Sequence, residues 1–181
     1  YLKEMKISKI LPNVITYNAI LSSCVDKFNK EVAVQMFNEM QNEQIQPSIT
    51  TINTMIDLYK NESNTAYRWF LRGKKMFNLN YDTITYTTLI NSFSKFGEIE
   101  KVEFFIQCMI VKKMKISLFC LTCVIDCCNN CGEYEKGLNW FKRAGELGLG
   151  WGELDIVVFV SLFLGMRDAC VGSSGLEGGW E

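Results

Sequence analysis

The pentapeptide Val14-Ile-Thr-Tyr-Asn18 returns three more times along the chain in related form. The other copies are Ile49-Thr-Thr-Ile-Asn53, Thr83-Ile-Thr-Tyr-Thr87 and Leu118-Phe-Cys-Leu-Thr122. The fourth residues of the four segments are separated by 35, 34 and 35 positions. An apolar pair such as Ile20-Leu21 follows each segment at the same distance. A period of this length predicts an array of similar supersecondary units.

Each unit carries a second landmark about fifteen to twenty residues further on. A small or medium-sized residue stands four positions before a large apolar one; these small residues are Ala33, Ala66, Val102 and Gly137. Apolar residues also recur at the i, i+3, i+4 and i+7 spacing of an amphipathic helix. Two short helices cannot bury their apolar faces alone, but stacked copies can. We therefore predict an all-α fold, an α-solenoid (right-handed superhelix) of tandem helix-turn-helix repeats of about 35 residues.

The predicted organisation is four full repeats with a partial unit at each end. Residues 1–13 are read as the end of a preceding repeat, and the full repeats cover 14–48, 49–82, 83–117 and 118–152. We expect a partial fifth repeat over 153–171 and a flexible, glycine-rich tail over 172–181. Because the second repeat is one residue short, we expect a distorted turn near Asn61–Asn64 and a second helix altered by Trp69 and Gly73.

The composition excludes several classes of function. The chain has 181 residues, 48% of them apolar and 22% charged, with 19 basic and 20 acidic side chains. It has no histidine, which rules out a Ser-His-Asp or Cys-His nucleophile, an H-E-x-x-H zinc helix and the H-x-E motif of zinc deaminases. We therefore predict no enzyme, no catalytic residue and no cofactor. No apolar run approaches the roughly 20 residues that span a bilayer, so membrane insertion is not expected.

Cysteine is concentrated in one short segment. Five of the eight cysteines are crowded together, with two C-x-x-C spacings; they are Cys120, Cys123, Cys127, Cys128 and Cys131. A zinc site needs about four converging ligands, whereas the repeat places this segment on one helix, which points such thiols outward along a line. We predict buried structural thiols and no metal site. A zinc or iron–sulfur centre and a redox role are the alternatives.

A two-helix unit that opens V-x-T-Y-N, and closes with proline and a short polar residue as at Pro47-Ser48, resembles the pentatricopeptide repeat (PPR) family. The resemblance covers about residues 2–152. The related tetratricopeptide motif W-x2-L-G-x2-Y is absent, which disfavours a tetratricopeptide-like peptide binder. The resemblance implies sequence-specific binding of single-stranded RNA, with one base read per repeat.

In this family the base is selected by the fifth residue of the first helix and the last residue of the repeat. The implied pairs here are Asn18 with Ser48, Asn53 with Asp82, Thr87 with Ser117, and Thr122 with Gly152. By the family's pattern asparagine favours pyrimidines and threonine favours purines. The implied preference, 5′ to 3′, is C or U, then U, then A or G, then any base, because Gly152 has no side chain.

The resemblance also implies contacts to the base face and to phosphate. The second residue of each repeat packs against the base in this family; here these residues are Ile15, Thr50, Ile84 and Phe119. Thr50 departs from the usual aliphatic residue, which puts tight binding at the second repeat in doubt. The basic residues near the ends of the first helices, Lys27, Lys60 and Lys95, are the implied phosphate contacts.

The resemblance implies a protein of the mitochondrion or chloroplast that binds single-stranded RNA and acts in transcript stability, processing or translation. The alternative is a scaffold subunit with protein partners in a large organellar assembly, such as a mitochondrial ribosome or a plastid RNA polymerase complex. Residues 1–150 carry only three more basic than acidic side chains. This modest charge, together with Thr50 and Gly152, favours the scaffold more than a tight RNA reader.

Overall fold

The computed structural model describes residues 2–149 and the single residue 163. Gly152, nearly all of the predicted fifth repeat and the predicted tail lie outside the described residues. Residues 2–149 form nine α-helices and no β-strand: α1 Leu2–Ile7, α2 Val14–Asp26, α3 Lys30–Asn42, α4 Ile49–Leu58, α5 Ser63–Phe77, α6 Thr83–Lys95, α7 Ile99–Val111, α8 Leu118–Asn130 and α9 Tyr134–Lys142. The predicted all-α fold is therefore confirmed for this part of the chain.

The helices pack within two compact units, Tyr1–Leu89 and Ile90–Glu181, and α6 contributes to both. In the first unit α2 packs against α3 and α4, and α4 packs against α5. In the second unit α8 packs against α7 and α9. A helix thus contacts its hairpin partner and the neighbouring repeat, which is the contact pattern of a repeat array. Within residues 2–149, no helix is long and apolar enough to cross a membrane.

Short polar residues start the first helix of each hairpin. Asn13 caps α2, Ser48 caps α4 and Ser117 caps α8, each by accepting backbone N–H groups of the first turn. The Asp82 carboxylate does the same for α6, accepting from the Thr85 N–H at 3.0 Å. Such caps satisfy N–H groups that have no partner inside the helix. The last residue predicted for a repeat is therefore also the cap of the next repeat.

Left-handed residues mark the turns between helices. One such residue follows each of α1, α3, α5 and α7, and another lies after α9; they are Lys9, Gln44, Asn78, Lys113 and Gly148. Their separations of 35, 34, 35 and 35 residues reproduce the period of the sequence. A second set lies between the two helices of a repeat, at Phe28, Gly97 and Gly132. The backbone conformation therefore repeats even where the residue type does not.

The first helices bury one face and expose the other. On α2 the side chains of Tyr17 and Leu21 are fully buried, four residues apart as the helix geometry requires. The Tyr17 hydroxyl donates to Glu43 at 2.8 Å at the edge of this core. Ile15, two residues before Tyr17, is 72% exposed. The second and fifth positions of the repeat are thus left at or near the surface.

The second repeat is irregular, as the shortened spacing predicts. Its first helix, α4, has 10 residues where α2, α6 and α8 have 13, and α5 has 15. The turn from Tyr59 to Glu62 lacks the left-handed residue of the other three hairpin turns. A Cβ at Gly73 would lie 2.0 Å from the Tyr81 hydroxyl. The irregular turn overlaps the predicted residues 61–64, whereas α5 runs without a break through Trp69 and Gly73.

Candidate nucleic-acid interface

The first predicted base-selecting pair lies at the joint between the first two repeats. Asn18, half-buried on α2, donates through Nδ2 to the Ser48 hydroxyl at 3.3 Å. The two residues are 30 positions apart in sequence and are brought together because α4 packs against α2. The structure therefore places the fifth residue of one repeat beside its last residue.

A third side chain, Thr51, completes this group. Its hydroxyl donates to Asn18 Oδ1 at 2.7 Å and lies 3.1 Å from the Ser48 Oγ. The backbone N–H groups of Ser48 and Thr51 each donate to the other residue's hydroxyl, at 3.0 and 3.2 Å, as in a capping box. We call the closed group of Asn18, Ser48 and Thr51 the first polar ring.

The second pair repeats this arrangement with a carboxylate in place of the serine. Asn53 Nδ2 donates to Asp82 Oδ1 at 3.3 Å, and the Thr85 hydroxyl lies 2.6 Å from Asn53 Oδ1 and 2.8 Å from Asp82 Oδ1. Partial burial raises the pKa of Asp82, but hydrogen bonds from Thr85 and Asn53 outweigh it and leave that pKa below its usual value. Asp82 is therefore ionised at neutral pH. We call Asn53, Asp82 and Thr85 the second polar ring.

The other predicted base-selecting residues in the described part of the chain are Thr87, Ser117 and Thr122. Thr87 is half-buried on α6. Ser117 accepts the Cys120 N–H at 3.2 Å as the cap of α8. The Thr122 hydroxyl donates to the Leu118 carbonyl at 3.0 Å, so its only hydrogen is turned toward its own helix. Its predicted partner, Gly152, lies outside the described residues.

The predicted base-packing residues are all exposed. Ile15, Ile84 and Phe119 have 72%, 65% and 55% of their surface accessible, and Thr50 is also exposed. Exposing this much apolar surface to water is unfavourable, and covering it with another apolar surface would lower the free energy. Each follows the first residue of its helix, in the turn that also carries the base-selecting residue. This position is suited to packing against a flat apolar ligand.

The three predicted phosphate contacts lie at the ends of first helices. Lys27 caps the end of α2, Lys60 follows the last residues of α4, and Lys95 ends α6. Lys27 and Lys95 are exposed, whereas Lys60 forms an ion pair with Asp57 at 3.1 Å. A cation at a helix C-terminus is also favoured by the helix dipole. The positions therefore allow phosphate binding but have a structural explanation of their own.

The cysteine cluster is a buried stripe on α8, where Cys120, Cys123, Cys127 and Cys128 are buried. Burial raises the pKa of Cys123 and Cys128 to about 11 and that of Cys127 to about 12. These thiols stay protonated at neutral pH, which is the state of buried, unreactive cysteines. Among residues 2–149 no group of three or more potential ligands is arranged to hold a metal ion.

Sequence reasoning missed Thr51 and Thr85. Both are almost completely buried, with 0% and 1% of their surface accessible, and both contact a predicted base-selecting asparagine. The available signal was the threonine that recurs at the third position, as Thr16, Thr51 and Thr85. A short polar residue three positions before such a threonine forms a capping box at α2 and α4, with threonine in the place that glutamate or glutamine usually occupies.

These features define a helical-repeat protein whose repeat joints carry small polar groups next to exposed apolar side chains. The profile of the PPR repeat family matches residues 12–61, and that of the PPR repeat matches residues 84–114 and 119–149. Together these matches cover more than half of the chain. The chain belongs to the pentatricopeptide repeat family.

A curated relative and solved structures support this assignment. A chloroplastic pentatricopeptide repeat-containing protein of Arabidopsis thaliana is 24% identical over 137 residues, which are 75% of this chain and 15% of that protein. The crystal structure of PPR10 from maize superposes with a TM-score of 0.81 at 18% identity, covering 93% of this chain and 24% of PPR10. The PPR domain of Arabidopsis thaliana protein-only RNase P 1, solved in complex with tRNA, gives 0.73 at 12% identity, covering 86% and 81% of the two chains.

These matches show that the fold is an all-α solenoid of helical repeats, as predicted. The chain spans about 15% of the length of the curated relative and about a quarter of PPR10.

Proposed function

We propose that this chain is the RNA-reading part of an organellar PPR protein that binds single-stranded RNA through its repeat joints. PPR10 has been solved with an 18-nucleotide psaJ RNA element, and that complex superposes on this chain with a TM-score of 0.71 at 17% identity. The relative from Arabidopsis thaliana is named as chloroplastic. On this proposal the protein takes part in the stability, processing or translation of a transcript in a chloroplast or mitochondrion, with no catalytic step of its own.

The observation that carries the proposal is the geometry of the two polar rings. Asn18 with Ser48 and Asn53 with Asp82 are contiguous pairs at successive joints, each with an Asn Nδ2 within 3.3 Å of its partner. A short amide held on a rigid helix can hydrogen-bond the edge of one base. We assign cytosine or uracil to the first pair, uracil to the second, and a purine to Thr87 with Ser117.

Exposed apolar side chains would add binding energy to each base. Stacking of a base on an aromatic side chain contributes about 1–3 kcal/mol in single-strand-binding proteins. Phe119 is the aromatic residue at the packing position, while Ile15, Thr50 and Ile84 have smaller contact surfaces. Lys27, Lys60 and Lys95 would contact phosphates, although Lys60 must first leave Asp57.

The test is a fluorescence-anisotropy titration of the chain with short single-stranded RNAs that differ only at the first and second bases of a C-U-A core. We expect the wild type to prefer uracil at the second base and Asn53→Thr to shift that preference toward a purine. Asn38→Thr, the same substitution at an exposed position on α3, is the matched control and should change nothing. Binding that ignores sequence and disappears at modest salt would contradict the proposal, since it would reflect phosphate attraction alone.

A protein-binding role is the second candidate, and a groove in the second unit favours it. The groove has a volume of about 510 Å³ and lies between α7 and α9. Phe104 on its wall is 60% exposed, and the Arg143 guanidinium lies 4.7 Å from the centre of the Trp140 ring. Exposed aromatic and arginine side chains are typical of sites where proteins dock.

Sedimentation in organelle extracts separates the two roles. A scaffold subunit should sediment with a large assembly under conditions that digest exposed single-stranded RNA but leave the assembly intact, and Phe104→Glu should release it. Asn53→Thr should have no effect on that association. An RNA reader should instead leave the large fraction once its RNA is digested.

A further inference from the structure

We propose that Thr51 and Thr85 are positioning residues for base recognition, and that each acts on the repeat that precedes its own. Thr51, in the second repeat, would hold the reading amide of Asn18 in the first. Thr85, in the third repeat, would hold that of Asn53 in the second. This inference rests on the proposed RNA-reading function and names residues that the base-selecting pairs do not include.

The two threonines make the shortest contacts to the asparagines. The Thr51 and Thr85 hydroxyl oxygens lie 2.7 and 2.6 Å from the asparagine Oδ1 atoms. The contacts from the asparagine Nδ2 atoms to Ser48 and Asp82 are both 3.3 Å. Because a hydroxyl bond is normally about 2.7–2.8 Å and weakens with distance, Thr51 is the stronger of the two restraints on Asn18. At the second ring the one hydrogen of the Thr85 hydroxyl is shared between Asn53 Oδ1 and Asp82 Oδ1.

Both threonine hydroxyls are shielded from solvent. The residues Thr51 and Thr85 have 0% and 1% of their surface exposed. A buried hydroxyl without a hydrogen-bond partner is costly, and water cannot reach these two to replace the asparagine oxygen. Rotating either amide away would break the shortest hydrogen bond of its buried threonine hydroxyl and leave that hydroxyl only its neighbour in the ring, Ser48 Oγ at 3.1 Å or Asp82 Oδ1 at 2.8 Å. This favours an amide that stays against the threonine before any base arrives.

The first polar ring also uses the full hydrogen-bonding capacity of its two hydroxyls. The Ser48 Oγ accepts from Asn18 Nδ2 and from the Thr51 N–H, and it donates to Thr51 Oγ1. The Thr51 Oγ1 accepts from Ser48 twice, at its N–H and its hydroxyl, and donates to Asn18. A hydroxyl has one hydrogen and two lone pairs. Only Asn18 therefore retains an N–H and a lone pair to offer a base.

This arrangement predicts that base preference at one repeat depends on a residue of the next. Thr51→Val and Thr85→Val keep the branched shape and remove the hydroxyl. Thr51→Val should reduce the preference for pyrimidine over purine at the first base, and Thr85→Val should reduce the preference for uracil at the second. The loss of one hydrogen bond should lower each preference by about two- to tenfold and leave the other base unchanged.

The controls separate positioning from general damage. Thr51→Ser and Thr85→Ser retain the hydroxyl and should retain the preference. Thr16→Val is the matched control, because Thr16 has the same place in the capping box of α2 and contacts Asn13 rather than a reading asparagine. It should alter neither base preference. A purely structural role would weaken binding to all RNAs equally and would not be specific for one base.

A measurement on the wild-type chain covers the case in which a valine variant does not fold. A buried, hydrogen-bonded Thr51 hydroxyl proton should be visible by NMR and show a nuclear Overhauser effect to the Asn18 side-chain amide. The absence of that contact would overturn the inference, as would valine variants that fold and keep their preferences. A wild type without any base preference would overturn the proposed function and this inference together. Preference in the wild type that survives both valine substitutions would overturn the inference alone.

Discussion

The first and second repeats present the same reading amide but hold it with different partners. Asn18 lies beside Ser48, and Asn53 lies beside Asp82, while a buried threonine contacts each amide oxygen. A serine hydroxyl can either donate or accept a hydrogen bond. The ionised carboxylate of Asp82 can only accept.

This difference determines how many orientations of each asparagine amide leave all hydrogen bonds of the ring satisfied. In the first polar ring all donors can reverse together, since either hydroxyl can donate to the other, so both orientations of the Asn18 amide are satisfied. In the second polar ring the Asp82 carboxylate has no hydrogen to donate, so only the N–H side of the Asn53 amide can face it, and this fixes the amide in one orientation. Cytosine and uracil exchange donor and acceptor on their pairing edges. We therefore expect the first repeat to accept both pyrimidines and the second to accept uracil alone.

Exchanging the two partners should exchange the two behaviours. Asp82→Ser should broaden the second site to both pyrimidines, and Ser48→Asp should narrow the first site to uracil. Since hydrogen bonds to a charged group contribute about 1.5–3 kcal/mol, each change in the uracil-to-cytosine ratio should be about tenfold or more. Anisotropy titrations with RNAs that differ at one base measure both ratios.

Both replacements are good helix caps, which limits the effect of the exchange on folding. The doubly exchanged protein is the internal control, because its two preferences should be those of the wild type in reverse order. Preferences that stay with the repeat rather than following the serine and the aspartate would contradict this explanation.

The second repeat also differs in how its interior is filled. The first repeat buries Met40 and, before its last residue, Pro47. The second places Gly73 and Tyr81 at the corresponding positions, and the Tyr81 hydroxyl donates to the Phe70 carbonyl at 2.7 Å. The second repeat therefore has glycine where the first has methionine, and tyrosine where the first has proline.

Gly73→Ala should therefore destabilise the protein. The added Cβ would lie 2.0 Å from the Tyr81 hydroxyl and 3.1 Å from Ile52, so Tyr81 must move and its hydrogen bond is lost. Overpacking of this kind typically costs about 1–3 kcal/mol. Urea denaturation followed by circular dichroism measures the loss. Gly137→Ala is the control: its Cβ has contacts of 3.3 Å or longer, and we expect little loss there.

A substitution in the hairpin turn of the first repeat should change the free energy of unfolding by a smaller amount, and it should stabilise the protein. Phe28 has a φ of 50°, in the left-handed region, where the corresponding residues of the third and fourth repeats are Gly97 and Gly132. A left-handed conformation costs a residue with a side chain about 1–2 kcal/mol. Phe28→Gly should raise the free energy of unfolding by up to about 1 kcal/mol, after the entropy that glycine adds to the unfolded chain.

Gly132→Ala is the converse experiment, because its φ is 76° and nothing lies within 4 Å of the added Cβ. It should destabilise through the backbone alone. A stabilising Gly132→Ala, or a destabilising Phe28→Gly, would show that the turn conformation is not the governing factor.

Acid should weaken the second polar ring and leave the first unchanged. The folded-state pKa of Asp82 is lower than that of the unfolded chain, about 3.9. Its contribution to stability is therefore complete above that value and is lost as the pH falls through the folded pKa. Thermal melts between neutral and strongly acidic pH should show a smaller acid loss in Asp82→Ser than in the wild type. Equal losses in the two proteins would contradict this assignment.

The sequence predicted the repeat, its helices and its irregular second copy because these follow from local spacing. Apolar positions such as Tyr17 and Ile52 recur at one period, and that period is sufficient to define a stacked helical fold. The shortened distance from Ile56 to Ala66 likewise predicted the altered turn. The positions of Asn18 and Asn53 were predicted from the family resemblance.

The polar rings were harder to predict because they join residues about 30 positions apart. Nothing in the local sequence shows that the Thr51 hydroxyl faces Asn18, since this depends on how α4 packs against α2. The sequence also did not show that Ser48 has two uses, as the partner of Asn18 and as the cap of α4. Such shared use appears only when both helices are placed.

The capping of each first helix by the preceding repeat has a consequence for the history of such chains. A tandem duplication of residues 14–48 would still close the ring, because the copied Thr16 then stands three residues after Ser48, where Thr51 stands now. The same segment placed before a helix with another residue at that position, as at Cys120, would carry Asn18 and Ser48 but leave the ring open. Gene segments one repeat long can therefore be shuffled without disturbing the group only where the helix that follows supplies a threonine at its third position.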